Sequence, residues 1–529
     1  MTSHFPYSNP FNILASLIAQ LKMVNPCLYQ SKDFRGTSED EHDWDDEADK
    51  LFQAYPALQD SDILLRDGVP PEAVDAIQAW RKAHNSFFPI LSLACRLDRA
   101  LYWESILRSS YLCVHLKNSF QSLNDNAAEE GIFLAPRVPS LNDPFDQSSS
   151  KDAASKTWAF DWKGGINQEL GNTYYMEADQ MLVAHKAYTV VHIIVNGRPI
   201  GKALRIAASP ISQGKLLLPP TTYTTPDKRR CFSIDGLQDP DRIQNRFRAA
   251  FLCAARHRAD IVLFPEMLGD GSVLGSEEAR NAFFAQLQEE AEDQGFPCPS
   301  LLLMPTWWHD KRNELYVLNA FGECVCVQQK QYPFVYPEGG QDYLEDLSQA
   351  SPIVYVLHIP KLGRITLPIC KDYLTPDYRR FLVEVLRSTF LLCPSYSSGK
   401  FSFALTAPAQ LPYGCYTAWI NTCAAVPPEP KKDQSSQQKT AVKCVDASHD
   451  PEKTPPSYVG LIAGPTSPEQ RQYRLFQPSC KGRCGPDDGP CLFVAEIRRT
   501  GAAPEIFLKD HLWPGSTPTS EQKDWRAEI

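Results

Sequence analysis

An α/β architecture behind a mainly helical N-terminal module is the fold class this sequence predicts, and three observations predict it. Residues 72–88 and 90–116 repeat apolar side chains at three- and four-residue spacing, the period of a helix that buries one face. From AYTVVHIIV (187–195) onward, β-branched and apolar runs alternate with helical stretches, as strands stacked against helices require. Between these textures, residues 120–170 are rich in Asn, Asp, Ser and Gly, which puts a module boundary between there and about 185. The expected units are a helical module over 1–185, an α/β domain over 186–510 and a tail over 511–529.

Within the first module, FNILASLIAQLKMV (11–24) reads as an amphipathic helix, interrupted by Gln20 and Lys22 and lacking the length of a membrane span. The acidic block EDEHDWDDEAD (39–49) reads as a solvated face or loop. A net charge of −10 disfavours broad phosphate contact, so nucleic acid is not an expected partner, nor is a membrane. The leading MTSHFPYSNP lacks the basic start of a secretory signal, and 16 cysteines scattered over 529 residues suit reduced thiols. The expectation is a cytoplasmic protein.

In the second unit, LRIAASPI (204–211) reads as a strand, DRIQNRFRAAFLCAARHRA (241–259) as an amphipathic helix and DIVLFPEM (260–267) as a buried strand. Residues 300–308, 314–332 and 363–370 continue the strands, 376–388 a helix and 389–396 another strand. Residues 426–457, dominated by Pro, Lys, Gln and Ser, read as a polar surface insertion. YRLFQPSCKGRCGPDDGPCLFVAEIRR (473–499) suggests a hairpin. Its Cys480, Cys484 and Cys491 supply three thiols without a local fourth ligand, which favours a Gly/Pro turn over zinc. His309, beside two tryptophans, reads as structural or pocket-lining.

Three residues stand at strand ends: Glu266 after DIVLFP, Lys330 after CVCVQQ and Cys370 after ITLPI. Singly, each has a plainer reading, as a salt-bridging carboxylate, a surface charge and a packed thiol. A thiol needs a base to become a nucleophile, a poorly hydrated carboxylate gains the proton affinity to be that base, and an ammonium can meet a developing oxyanion.

Their order and settings resemble the nitrilase, or carbon–nitrogen hydrolase, superfamily from about residue 200 to about 500. The resemblance is carried by FPE (264–266), NELYVLNAFGECVCVQQK leading to Lys330, IC-x-D (369–372), LLCPSYSSG (391–399) and the late strand LFVAEI. It implies a four-layer αββα sandwich of two mixed sheets with helices outside, and a homo-oligomer. It implies hydrolysis of a non-peptide C–N bond in a small amide or nitrile through a Cys370 thioester, with Glu266 as base, Lys330 as oxyanion stabiliser and no cofactor or metal. Glu338, eight residues after Lys330, matches a positioning glutamate of amidase-like members, and the Lys371 backbone N–H would complete the oxyanion site. Lys371 is unusual there, and would either depress the thiol pKa or point to solvent. Residues 407–423 lack the arginine–alanine helix of many relatives, which touches the pocket wall and the usual subunit contacts. The alternative is a nitrilase-fold binding, regulatory or defence-system effector subunit without turnover, docking a protein partner through 1–185. Large bacterial defence proteins join such a domain to a reverse transcriptase, but this sequence has no YxDD-type motif.

Overall fold

The computed structural model describes residues 9–26, 44–102, 132–138, 141, 166, 169–177, 180, 182–195, 203–211, 216–425, 458–465, 472–477, 491–500 and 503–512. Cys480, Cys484, the 426–457 insertion and the tail beyond 512 lie outside them. Among the described residues no group of side chains could hold a metal ion, and no helix is long and apolar enough to cross a membrane.

The leading segment contributes helices α1 (Pro10–Val24), α2 (Trp44–Gln53), α3 (Ser61–Asp67), α4 (Pro71–Ala83) and α5 (Phe87–Ala100). Helix α1 opens on Asn9, whose side chain accepts the Phe11 N–H, with Pro10 in the first turn, where its missing donor costs nothing. Its broad apolar face, from Phe11 to Leu21, is buried, packed chiefly on α5, while Lys22 and Met23 stay exposed. The acidic block supplies the first turn of α2, where Asp45, Asp46 and Glu47 meet the positive end of the helix dipole, and Asp49 pairs with Arg96. Strands β1 (Ile132–Pro136) and β2 (Thr173–Glu177) pair antiparallel beside these helices. Buried Asp98 of α5 holds the start of β2, accepting the N–H groups of Gly171, Asn172 and Thr173 at 2.7, 3.0 and 2.8 Å.

Two large sheets form the rest. The first, of eight strands, runs β11 (Trp307–His309), β12 (Arg312–Asn319), β10 (Leu301–Leu303), β9 (Ile261–Leu263), β6 (Ala203–Ala208), β22 (Leu492–Thr500) and β23 (Ala503–Leu512), with β13 (Cys324–Gln329) also on β12. The second, of seven strands, runs β21 (Gln472–Phe476), β20 (Gly460–Gly464), β19 (Tyr416–Asn421), β18 (Phe390–Ser395), β17 (Gly363–Thr366), β16 (Ile353–Ile359) and β5 (Thr189–Ile194). Both mix parallel and antiparallel pairs.

Side-chain alternation shows how the layers stack. On the first sheet, Ile206, Ala208, Ile261, Leu263, Leu301, Leu303, Leu315 and Val317 enter the main core shared with β16 to β20. Their neighbours Ala207, Val262, Leu302, Tyr316 and Leu318 face a separate core made with helices α6 (Pro240–Arg256) and α7 (Glu277–Asp293). On the second sheet, helices α8 (Lys371–Leu374) and α9 (Pro376–Arg380) and the π turn Phe381–Val385 bring Tyr378, Phe381 and Leu382 into the main core. The order is helix, sheet, sheet, helix, the expected sandwich. A four-stranded sheet, β14 (Val335–Glu338), β15 (Gln341–Glu345), β8 (Arg230–Ser233) and β7 (Thr221–Thr224), flanks one end.

The helical segment is not a detached module. Ile194 of β5 belongs to the core of α1 and α5, while Ile193 beside it belongs to the sandwich core. Tyr174 of β2 donates to Leu386 O, and buried Arg364 of β17 lies 5.0 Å from the Tyr174 ring centre.

Candidate active site

The strand ends at one edge of the sandwich bring Glu266, Lys330 and Cys370 together, each by a local device. Glu266 stands three residues past β9, its N–H donating to Ser395 O at 3.3 Å while its Oε2 accepts the Tyr396 N–H at 2.8 Å. This stitches the end of β9 in one sheet to the end of β18 in the other. Lys330 directly follows β13, its N–H held by Asn313 O at 2.9 Å. Cys370 caps α8 with a φ of +49°, a conformation that costs a side-chain-bearing residue about 1–3 kcal/mol and projects the sulfur from a tight elbow. Pro394 O accepts its N–H at 2.9 Å.

The side chains interlock. Lys330 Nζ donates to Glu266 Oε1 at 2.7 Å and to Glu345 Oε2 at 2.5 Å. Asn313 Nδ2 spans the same two carboxylates, at 2.9 Å to Glu266 Oε1 and 3.0 Å to Glu345 Oε1. The Cys370 thiol lies close enough to Glu266 for each group to shift the proton affinity of the other. Glu266 and Lys330 are 0% and Cys370 2% exposed, so these charges act on each other with little screening.

Burial, reinforced by Glu345 and opposed by Lys330, raises the proton affinity of Glu266 above that of an ordinary carboxylate. Burial pulls Lys330 down, but Glu266, Glu345 and Cys370 outweigh it and hold the ammonium well above its usual pKa. Burial and Glu266 push the Cys370 thiol well above its usual value. The resting site thus holds a protonated thiol beside a carboxyl group of raised proton affinity and an ammonium locked in its charged form.

Two expectations need correcting. Glu338 is exposed at the tip of the β14–β15 hairpin, paired across it with Gln341 beside Gly339 and Gly340, and touches none of the cluster. The second carboxylate on Lys330 is Glu345, at the other end of that hairpin, where its Oε2 also accepts the Phe334 N–H at 3.1 Å. Lys371 is half-buried and is not among the charges acting most on the thiol, which is raised rather than depressed. Its backbone N–H, in the first turn after Cys370, donates to no acceptor among the described residues.

Sequence reasoning also missed Asn313 and the task of Asp372. Asp372 Oδ1 accepts the N–H groups of Gln331 and Tyr332 at 3.0 and 2.8 Å, and its Oδ2 that of Ile369 at 3.2 Å. The Cys370 elbow is thereby tied to the chain just past Lys330. His309 lies on the outer face of β11, stacked on Trp307 at 3.7 Å and bonded to Glu314 at 2.7 Å, a structural setting.

No family model matches the chain, and no curated protein does. Among solved structures it is similar to an amidase of Nesterenkonia sp. AN1 from the nitrilase superfamily. A Cys-to-Ala mutant of that amidase aligns at 15% identity over 57% of this chain and 94% of the amidase, with a TM-score of 0.30. A complex of such a mutant with butyramide aligns at 17% identity over 42% of this chain and 77% of the amidase, with a TM-score of 0.25. The C. elegans NitFhit protein aligns at 14% identity over 56% of this chain and 61% of its own length, with a TM-score of 0.30. Overlap this partial carries nothing about substrate or turnover, which rest on the geometry of the cluster.

Proposed function

We propose that this chain is a thiol-dependent carbon–nitrogen hydrolase acting on a small amide. The observation that carries the reading is the convergence of buried Cys370 on a carboxylate, Glu266, that shares a buried ammonium with a second carboxylate. Glu266 takes the thiol proton as the sulfur attacks the amide carbon. The oxyanion that forms is met by the Lys330 ammonium, two of whose three protons are already committed, and by the Lys371 N–H. Glu266 returns its proton to the leaving nitrogen, ammonia or an amine departs, and a thioester remains. Water then gives a proton to Glu266 and attacks the thioester; the acid leaves and the proton goes back to sulfur. Glu345 and Asn313 hold Lys330 and Glu266 in place throughout, and a nitrile would pass through a thioimidate instead.

The test is ammonia release from a panel of primary amides, with hydroxylamine added to trap the thioester as a hydroxamate. The wild type releases ammonia and yields hydroxamate; Cys370→Ala yields neither, and Glu266→Gln loses at least a hundredfold in rate. Equal release by wild type and Cys370→Ala would overturn the reading.

One observation favours a second reading: Cys370 is 2% exposed. A site that stays closed would make the chain a binding or regulatory subunit that keeps the catalytic side chains without turnover. Under that reading Cys370 resists iodoacetamide in the folded chain as strongly as the buried Cys393 does, and no amide is cleaved.

A further inference from the structure

The two tryptophans of β11 project to opposite sides of the sheet. Trp307 pairs with Glu314 and Trp308 with Asn313 across the β11–β12 ladder, and directly opposed residues of an antiparallel pair share a face. Glu314 bonds Tyr316 of the outer helical core, and Trp307 packs against that core. Trp308 therefore lies on the face of Asn313, whose amide holds both Glu266 and Glu345. There it packs with Phe232, Ile234, Met267 and Phe334. Met267 directly follows the base, and the Phe334 N–H donates to Glu345.

An apolar patch thus abuts the reactive cluster, and it holds one polar hydrogen without use. Trp308 Nε1 is buried and has no acceptor among the described residues. A buried indole N–H ordinarily finds a partner, because leaving the donor dry forfeits the bond it made to water. One left over in an apolar patch beside a nucleophile marks the place where a ligand brings an acceptor.

We propose that Trp308 is a specificity determinant: its Nε1–H recognises a neutral acceptor, a ring nitrogen or an oxygen, on an apolar acyl group of the amide. This rests on the hydrolase reading for the word substrate, but its recognition half stands apart. The acyl group is uncharged, because the cation of the cluster, Lys330, already faces two carboxylates.

Benzamide and the three pyridinecarboxamides form the probe set, since they share shape and differ by one ring nitrogen placed ortho, meta or para. Binding to the full-length Cys370→Ala protein is measured by calorimetry, and turnover by ammonia release from the wild type. The expected result is that at least one pyridine isomer binds about tenfold tighter than benzamide, and that adding Trp308→Phe brings the ratio within twofold of one. Trp307→Phe, on the other face of the same strand, leaves the ratio unchanged and controls for general damage to β11. If no isomer is preferred, or if the preference survives Trp308→Phe, the proposal is overturned. Trp308-dependent binding without ammonia release from any amide would sink the hydrolase reading and leave the recognition standing; ammonia release with a Trp308-independent ratio would do the reverse.

Discussion

Replacing Glu345 by glutamine keeps the outline of the side chain and removes its charge, which isolates what the second carboxylate does. Glu266 Oε1 and Glu345 Oε2 lie 2.7 and 2.5 Å from one Lys330 nitrogen, so the two oxygens are within about 5 Å of each other. At that separation and an effective dielectric constant of about 20, two like charges repel by about 3 kcal/mol, roughly two pKa units. In Glu345→Gln, Glu266 loses this repulsion, holds its negative charge more readily and becomes a weaker base for the thiol. Glu266 and Lys330 are the charges that act most on Cys370 itself, so the change falls on the proton acceptor. Alkylation of Cys370 by iodoacetamide at pH 7, followed by mass spectrometry of the Cys370 peptide, should slow by about tenfold to a hundredfold. Glu338→Gln, at the exposed hairpin tip, should match the wild type. A Glu345→Gln rate within threefold of the wild type, or equal slowing by Glu338→Gln, would refute the assignment of the second carboxylate.

Two further outcomes follow from buried carboxylates. Burial, opposed by Lys330, pushes Asp372 up to about 7. Between its unfolded value of about 4 and that point the folded chain holds a proton the unfolded chain has released, so this contribution to stability falls as pH rises. The decline is about 4 kcal/mol across the window, read by urea unfolding, and should be missing from Asp372→Asn; parallel curves for the two proteins would contradict it. Asp98→Ala leaves three backbone donors at Gly171, Asn172 and Thr173 without their acceptor, a loss of about 3 to 6 kcal/mol. Hydrogen exchange at those amides should accelerate, and unchanged protection would show that water replaces the carboxylate.

The strands of the sandwich were legible because burial on both faces leaves an unmistakable apolar run: every residue of Phe390–Ser395 and Tyr416–Asn421 is buried. Glu266 and Cys370 were legible because each follows such a run, and Lys330 because it closes the strand Cys324–Gln329. Glu345 was not, because an offset of eight from Lys330 singled out Glu338. Pairing outward from Gly339 and Gly340, both at positive φ, gives the better answer: the turn leaves Glu338 at the tip and brings Glu345 opposite Phe334, close to Lys330. The helix expected over 72–88 is two, parted at His84–Ser86, because apolar periodicity runs on across the break. Strands β1 and β2 escaped notice because they pair across a long stretch of chain, and long-range partners leave no local period. Helix α1 was legible as amphipathic: Phe11, Leu14, Leu17, Ile18 and Leu21 are buried, while on its open side Gln20 reaches Asn85 and Lys22 reaches Glu177.

The alternation of Ile193 and Ile194 between two cores has a practical meaning for anyone cutting this protein down. A shortened version beginning near residue 186 would lay bare Ile194 at the end of β5 and the guanidinium of Arg364, which the leading helices and β2 roof over. Whatever else the first 185 residues contribute, they are the weatherproofing of one flank of the sandwich, and a loss of activity on their removal would say nothing about regulation until the remnant had been shown to stay in solution.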